Sequence, residues 1–405
     1  MLGFDYELRR RGFAGNSCQI LLQLSKIIEP ARLQQRVAEL VAKNPVLQSR
    51  PVRGLNPRWK PTSTVPQIRV HAETAEILEF LFNEPLDILR GELLRFDLVG
   101  RAVIFTWAHA LMDAKSAEYF LALVGNPQLP LPEPEQDWYV QRANAAGNLR
   151  ARLRRAWLSL ERLEQFKREP PVSLATVRPP TACKMKYTIS AFSGDDSARV
   201  HAKSTALCGF LGETNFHLAA TLFELHRLHR RVGCTATSYV VPIPISLRPK
   251  GTRSPLFSNQ LTTMLYQFFP SQLETIEQAV AAIKNQRADV LRGGYIDSSI
   301  ALGQLFRALP LRLYMWLAKR ELRGEICSLF FGDTAAVDPA LETFFDADIE
   351  TFVHVPAVTV PPGVGVVFYT FRHQLHFTLV YAEGTLAENE ADEFVRSLRQ
   401  QLLNP

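Results

Sequence analysis

One strand-to-helix connection in the first third of the chain constrains its fold and chemistry most. A run of apolar and β-branched residues, Ala102–Trp107, leads to His109, and Asp113 follows four positions later. A helical pattern then begins near Lys115. Many enzymes hold a general base at the end of a strand, and histidine suits that role because it titrates near neutral pH. The opposing interpretation is a structural histidine, with Asp113 capping the following helix.

The length and composition indicate a globular protein with two lobes. A chain of 405 residues exceeds one ordinary hydrophobic core, and 47% of it is hydrophobic against 21% charged. No stretch of about 18 uncharged apolar residues is present, and the N-terminus lacks a secretory pattern. The five cysteines are scattered without CxxC spacing, which favours reduced thiols. We therefore predict a cytoplasmic monomer without a transmembrane segment.

The net charge of +6 favours an anionic partner or a solvated basic surface. Basic residues cluster at 9–11, 142–155 and 227–231, but no nucleic-acid recognition motif accompanies them. We predict no nucleic-acid binding. A phosphorylated cofactor tail or an acidic carrier protein suits this charge. A basic amphipathic run over 305–320 leaves peripheral membrane contact open, although a core or tunnel-covering helix is favoured.

Two proline pairs divide the pattern of predicted elements. They lie at 170–171 and 179–180, and we place there a linker over 171–184 between an N-terminal lobe, 1–170, and a C-terminal lobe, 185–405. The predicted helices cover 30–43, 115–124, 151–167, 216–231, 274–291, 302–323 with a break at Pro310, and 388–403. The predicted strands cover 93–98, 102–107, 185–191, 239–245, 364–371 and 374–381.

Four segments, in register along nearly the whole chain, resemble motifs of the CoA-dependent acyltransferase superfamily. That superfamily includes chloramphenicol acetyltransferase, condensation domains, polyketide-associated acyltransferases, plant HxxxD acyltransferases and wax ester synthases. Residues 108–114 resemble the HHxxxDG motif, and residues 40–47 resemble an early helix that ends in His-Pro, with Asn44 in place of the usual His. Residues 241–249, followed by Ser258-Asn259, resemble the PVSLRP…GN stretch. Residues 363–381 resemble the hairpin that closes the fold.

The resemblance implies an α+β fold of two pseudo-symmetric lobes of the chloramphenicol acetyltransferase type, with a tunnel at their interface. His109 would be the catalytic general base in that tunnel. Asp113 would pair with Arg248 and hold the histidine loop instead of relaying protons. No cofactor would be bound permanently, because an acyl-CoA or acyl-carrier-protein thioester would serve as co-substrate. No metal site is implied.

Several positions depart from the family pattern. Ala108 replaces the first histidine of HHxxxDG, Ala114 replaces its glycine, and the plant DFGWG signature is absent. The late SNLG-like position is only loosely matched by residues 327–332, which contain no asparagine. The candidate contacts to the oxyanion or to the acceptor are Ser246, Asn259 and Ser328.

The leading hypothesis is an acyltransferase acting on an alcohol or amine acceptor, either a small molecule or a lipid-like one. Amide-forming condensation of carrier-bound substrates is the alternative within the fold. A catalytically silent binding or scaffold protein of the same fold is the alternative from another class. His226 and His229 lie one turn apart on a predicted helix, but no carboxylate or thiol joins them. We interpret them as surface histidines, and we expect His217, His354, His373 and His376 to be structural.

Overall fold

Two β-sheets form the frame of the protein in the computed structural model, which describes residues 1–52, 54–55, 57–131, 138–145, 147–210, 212–249, 252–253, 255–320 and 322–404. The first sheet has six strands and the second has four, and two further strand pairs lie apart from them. None of the helices in these ranges is long and apolar enough to cross a membrane.

Helices and strands of the first half are α1 (Leu2–Arg10), β1 (Ser17–Leu24), α2 (Pro30–Lys43), β2 (Ser49–Val52), β3 (Arg58–Pro61), β4 (Gln67–His71), α3 (Ile77–Asn83), β5 (Leu94–Val99), β6 (Ala102–Ala108), α4 (Ala114–Gly125), α5 (Trp138–Ala145), α6 (Leu149–Arg168) and α7 (Leu174–Val177). Those of the second half are β7 (Met185–Ala191), α8 (Gly194–Cys208), α9 (Glu213–Arg231), β8 (Tyr239–Ser246), β9 (Leu261–Phe268), α10 (Ile276–Arg292), α11 (Tyr295–Arg307), α12 (Leu311–Arg320), β10 (Phe330–Ala336), β11 (Thr343–Phe344), β12 (Ala347–Val355), β13 (Val364–Phe371), β14 (Gln374–Ala382) and α13 (Glu388–Leu403).

Elements with a strong local pattern lie where the sequence predicts them. Helix α2 has the predicted bounds, with Pro30 in its first turn and Leu33, Val37 and Leu40 buried on one face. Strands β5, β6, β13 and β14 and helices α4 and α13 agree with the prediction to within a residue at each end. Apolar residues at helical spacing bury one stripe of α2 and of α13. Largely apolar runs mark the four strands and α4, which are buried at almost every residue.

The first sheet has the strand order β11-β12-β1-β6-β5-β4. Its central strand β1 pairs antiparallel with β6 on one side and with β12 on the other. Because β12 lies far beyond the predicted linker, this pairing corrects the predicted assignment of residues 343–355 to the C-terminal lobe. The strand completes the sheet of the first lobe and ties the two halves of the chain together.

The second sheet has the strand order β10-β13-β14-β7. Strands β10 and β13 are parallel, and the other two pairs are antiparallel. Helices α9, α10 and α13 contribute buried residues to the core on one face of this sheet, while α2 and α4 do so for the first sheet. Each lobe is therefore a layer of helices on a sheet, which is the predicted α+β class.

Helix α6 agrees in its bounds but not in its buried face. Leu153 and Trp157, on the predicted apolar side, are 52% and 60% exposed. The helix instead buries Ala156 and Phe166, and the hydroxyl of Ser298 from α11 bonds to its backbone. Contact with α11 determines which face of α6 is buried, and the sequence of α6 alone does not specify this partner.

Candidate active site

His109 is the first residue after strand β6. Its N–H donates to the carbonyl of Asn16 at 3.0 Å, and its own carbonyl accepts from Nδ2 of Asn259 at 2.9 Å. These two bonds fix the chain at the point where the strand turns towards α4. The residue as a whole is half-buried, and its Nδ1 is buried.

Burial sets the protonation state of His109. Its pKa is lowered from the ordinary value, chiefly because burial disfavours the charged imidazolium. The carboxylate of Asp113 and the side chain of Asn259 oppose this shift without reversing it. The ring is consequently neutral near pH 7, which is the form that can accept a proton.

Asp113 is buried and accepts from three separate parts of the chain. It is the N-cap of α4 and accepts from the N–H of Ser116 at 3.0 Å. Its oxygens also accept from Nη1 of Arg248 at 2.9 and 3.0 Å and from the N–H of Gln260 at 2.8 Å. The helix cap inferred from sequence and the pairing implied by the resemblance therefore occur together. A carboxylate held by three donors is suited to support the histidine loop.

Arg248 follows strand β8 and reaches across to helix α4. Besides Asp113, its guanidinium donates to Oγ of Ser116 and to the carbonyl of Pro255. Its side chain is 9% exposed. Nη1 alone contacts both carboxylate oxygens of Asp113, and Nη2 bonds to Ser116, so one guanidinium ties the β8–β9 pair to the first lobe.

The three candidate oxyanion contacts lie in different surroundings. Asn259 lies against the backbone of His109, as described above. Ser246 is exposed, and its Oγ accepts from the N–H of Arg248 at 3.2 Å. Ser328 is buried, and it exchanges hydrogen bonds with both backbone groups of Val240 on β8. These bonds give Ser328 a structural role in joining β8 to the chain entering β10, and all three oxyanion assignments stay predictions.

Sequence reasoning missed two groups that hold Asp113. Ser116 carried a usable signal, because it lies at the third position after a capping aspartate. Gln260 carried none, since the donor is a backbone N–H that every residue except proline possesses. Only the tertiary contact of the segment before β9 with α4 identifies it.

The histidine pair on α9 is not on the surface, which corrects the interpretation from sequence. His226 is 9% exposed and His229 is fully buried, and Nδ1 of His226 lies 3.0 Å from the hydroxyl of Tyr239. Among the residues described, no group of three or more His, Cys, Asp or Glu side chains is arranged to hold a metal ion.

The two sheets with their helices have the fold of solved condensation domains and of an acetyltransferase. Solved structures with this fold include the first condensation domain of the CDA synthetase, at 15% identity and a TM-score of 0.70 over 100% of this chain and 94% of that chain. TRI3 trichothecene 15-O-acetyltransferase from Fusarium sporotrichioides aligns at 13% identity, with a TM-score of 0.70 over 99% and 93%.

A third similar structure carries a different activity in its name. The epimerization domain from the third module of tyrocidine synthetase B aligns at 10% identity, with a TM-score of 0.62 over 99% of this chain and 94% of that chain. No family model matches the sequence, and the comparison with curated proteins gives no match. Identities this low show the fold alone, and they confirm the predicted fold class.

Proposed function

We propose that the protein is an acyltransferase that moves an acyl group from a CoA or acyl-carrier-protein thioester to an alcohol or amine. The observation that carries this proposal is the neutral, half-buried imidazole of His109, fixed at the end of β6 beside a buried Asp113–Arg248 pair. A neutral imidazole can remove a proton from an acceptor hydroxyl or amine. The fold similarity to a condensation domain and to an O-acetyltransferase supports the same class of reaction.

The proposed reaction needs one proton acceptor and an activated acyl group. Nε2 of His109 takes the proton of the acceptor as its oxygen or nitrogen attacks the thioester carbonyl, forming the new ester or amide bond. Collapse of the tetrahedral intermediate breaks the carbon–sulfur bond, and the imidazolium returns the proton to the departing thiolate. The thioester supplies the activation, so this route uses no resident cofactor. Ser246 and Asn259 are candidates to donate to the developing oxyanion.

Amide-forming condensation is the second candidate, because the first condensation domain of the CDA synthetase aligns over this entire chain. The two candidates share the base and differ in the acceptor atom. Parallel assays with matched alcohols and amines, each supplied with acyl-CoA or an acylated carrier protein, separate them. Thiol release with alcohols alone supports ester formation, and release with amines alone supports condensation.

The test of the general base is the variant His109→Ala. We expect thioester turnover to fall by about 10² to 10⁴, the usual contribution of a general base. The matched control is His201→Ala, which removes a histidine from the exposed surface of α8 and should leave the rate within about twofold, as for most surface changes. Thiol release by His109→Ala at the wild-type rate overturns the mechanism. Failure of every alcohol and amine to turn over favours the silent binding protein.

A further inference from the structure

His354 is a buried histidine whose two ring nitrogens both lack a hydrogen-bond partner among the residues that the structure describes. It is 2% exposed and lies on β12, the strand that crosses into the first sheet. A buried polar group without a partner costs about 1–3 kcal/mol, so proteins rarely keep one without a use. Within the described ranges, His229 also has two unpartnered nitrogens, so the case for His354 depends on the side chains around it.

Other polar side chains converge on the same place from the second sheet. The ring of Tyr369 lies 6.4 Å from that of His354 and stacks on His376 at 5.2 Å with an angle of 8° between the planes. The hydroxyl of Tyr369 lies beside Thr378 and the backbone of His354. We call these four residues the seam cluster, because they belong to strands of both sheets.

The seam cluster concentrates unsatisfied hydrogen-bonding capacity. Within the described part of the chain, its buried atoms without a hydrogen-bond partner are Nδ1 and Nε2 of His354 and Nε2 of His376, while Oη of Tyr369 and Oγ1 of Thr378 lie against each other. A single orphaned atom can be incidental. Neighbouring ones on both sheets indicate a place built to receive a polar group.

The seam cluster lies next to the candidate base. The ring of His354 meets that of Trp107 edge to face at 5.9 Å, and Trp107 precedes His109 by two residues. Burial lowers the pKa of His354 to about 3, with further contributions from the charges of Lys115 and His109. The subsite inferred below requires that a substrate at His109 reach His354 with another of its groups.

The chemistry of the cluster selects a neutral group. At neutral pH the ring of His354 is uncharged, so one nitrogen donates and the other accepts. The hydroxyls of Tyr369 and Thr378 can likewise do both. A hydroxyl or an amide matches such mixed donors and acceptors. A carboxylate or phosphate would need a cation, and Lys115, whose charge acts on His354, already donates to Glu118 and to the carbonyl of Ala336.

We infer that the seam cluster is a subsite that binds a second neutral polar group, a hydroxyl or an amide, of the acyl acceptor. This inference rests on the proposed function, because that reaction brings an acceptor to His109. Acceptors with two polar groups should accordingly be preferred over those with one. The preference should depend on His354.

The experiment compares hexanol with hexanediol as acceptors for the wild-type protein and for His354→Phe. Phenylalanine keeps the ring and removes both nitrogens. We expect wild type to show a KM for the diol about tenfold below that for the alcohol, the size of one net hydrogen bond. In His354→Phe the two KM values should become equal.

The matched control is His229→Phe. His229 is also fully buried with both ring nitrogens unpartnered among the described residues, but it lies on α9 against Tyr239. The variant His229→Phe should leave the preference for the diol intact. His354→Gln, which restores one donor and one acceptor, should recover part of that preference and also replaces the phenylalanine variant if the latter does not fold.

A binding measurement separates this inference from the proposed function. Hexanediol alone should raise the melting temperature of wild type and of His109→Ala more than hexanol does, and His354→Phe should lose the difference. That result supports the subsite even where no acyl transfer occurs. Equal effects of the two alcohols on wild type overturn the inference. A His354→Phe protein that melts several degrees lower with an unchanged diol preference also overturns it and leaves an ordered water as the partner of His354.

Discussion

Arg248 donates from Nη1 to both carboxylate oxygens of Asp113, at 2.9 and 3.0 Å, between the loop after β8 and the start of α4. Both side chains are nearly buried, at 9% and 4% exposure. Asp113 also caps the helix that follows His109. The position of the candidate base therefore depends on a contact with the second half of the chain.

Arg248→Met should destabilise the protein by about 3–5 kcal/mol, because it leaves the carboxylate of Asp113 buried without its cation. Urea unfolding at neutral pH measures this change. Adding Asp113→Asn should restore part of the loss, since the amide removes the stranded charge and keeps an oxygen for the helix cap. The control Arg253→Met breaks a more exposed pair with Asp338 and should cost less than about 1 kcal/mol. Equal losses for the two arginine variants would contradict the pairing argument.

The pH profile of thioester turnover should extend to acid. The pKa of His109 is lowered chiefly by burial, so the ring stays neutral below the ordinary histidine value of about 6.5. We expect kcat/KM to be flat from neutral pH to below 6.5 and to fall only at lower pH, as the base becomes protonated. The measurement is a profile with an alcohol whose own ionisation lies outside the range. An acid limb above the ordinary histidine value would show that burial does not govern this group.

Asn259→Ala should lower kcat about tenfold with little change in KM, because the lost amide no longer fixes the backbone of His109, and small misplacements of a base are costly. Asn259 also raises the pKa of His109, so its removal should move the acid limb of the pH profile to still lower pH. The control is Asn126→Ala at the end of α4, whose side chain bonds to Gln128. A fall in kcat without any movement of the acid limb would leave Asn259 with a structural role only.

His229 should make the protein sensitive to acid. Burial, with the charge of His226, lowers the pKa of His229 to about 4, whereas the unfolded chain titrates near 6.5. As the pH falls through this interval the unfolded state takes up the proton first, so the free energy of unfolding decreases by about 2–3 kcal/mol between pH 7 and pH 4.5. His229→Leu should remove that share of the loss, so that the free energy of unfolding changes less between pH 7 and pH 4.5. Urea unfolding at both pH values measures it, with His201→Gln as the exposed control; identical acid losses in wild type and His229→Leu would contradict the argument.

Local patterns in the sequence sufficed for the amphipathic helix α2, the hairpin of β5 and β6, and the placement of His109 at its end. They rest on the spacing of apolar residues and on proline positions, which act over a few turns of chain. The Asp113–Arg248 pair came from a motif resemblance, and the structure contains it. The roles of these residues in catalysis stay predictions.

Interactions distant in sequence were decided by tertiary structure alone. The pairing of β12 with β1, the face that α6 turns towards α11, and the backbone N–H of Gln260 on Asp113 each need a partner that no local pattern specifies. The burial of His226, His229 and His354 was also decided by tertiary structure, because the identity of a histidine in the sequence does not show whether water or protein surrounds its ring. The pKa values and unpaired nitrogens of these histidines follow from that burial. Burial is a property of the packed lobes, because desolvation depends on all the atoms that surround a ring.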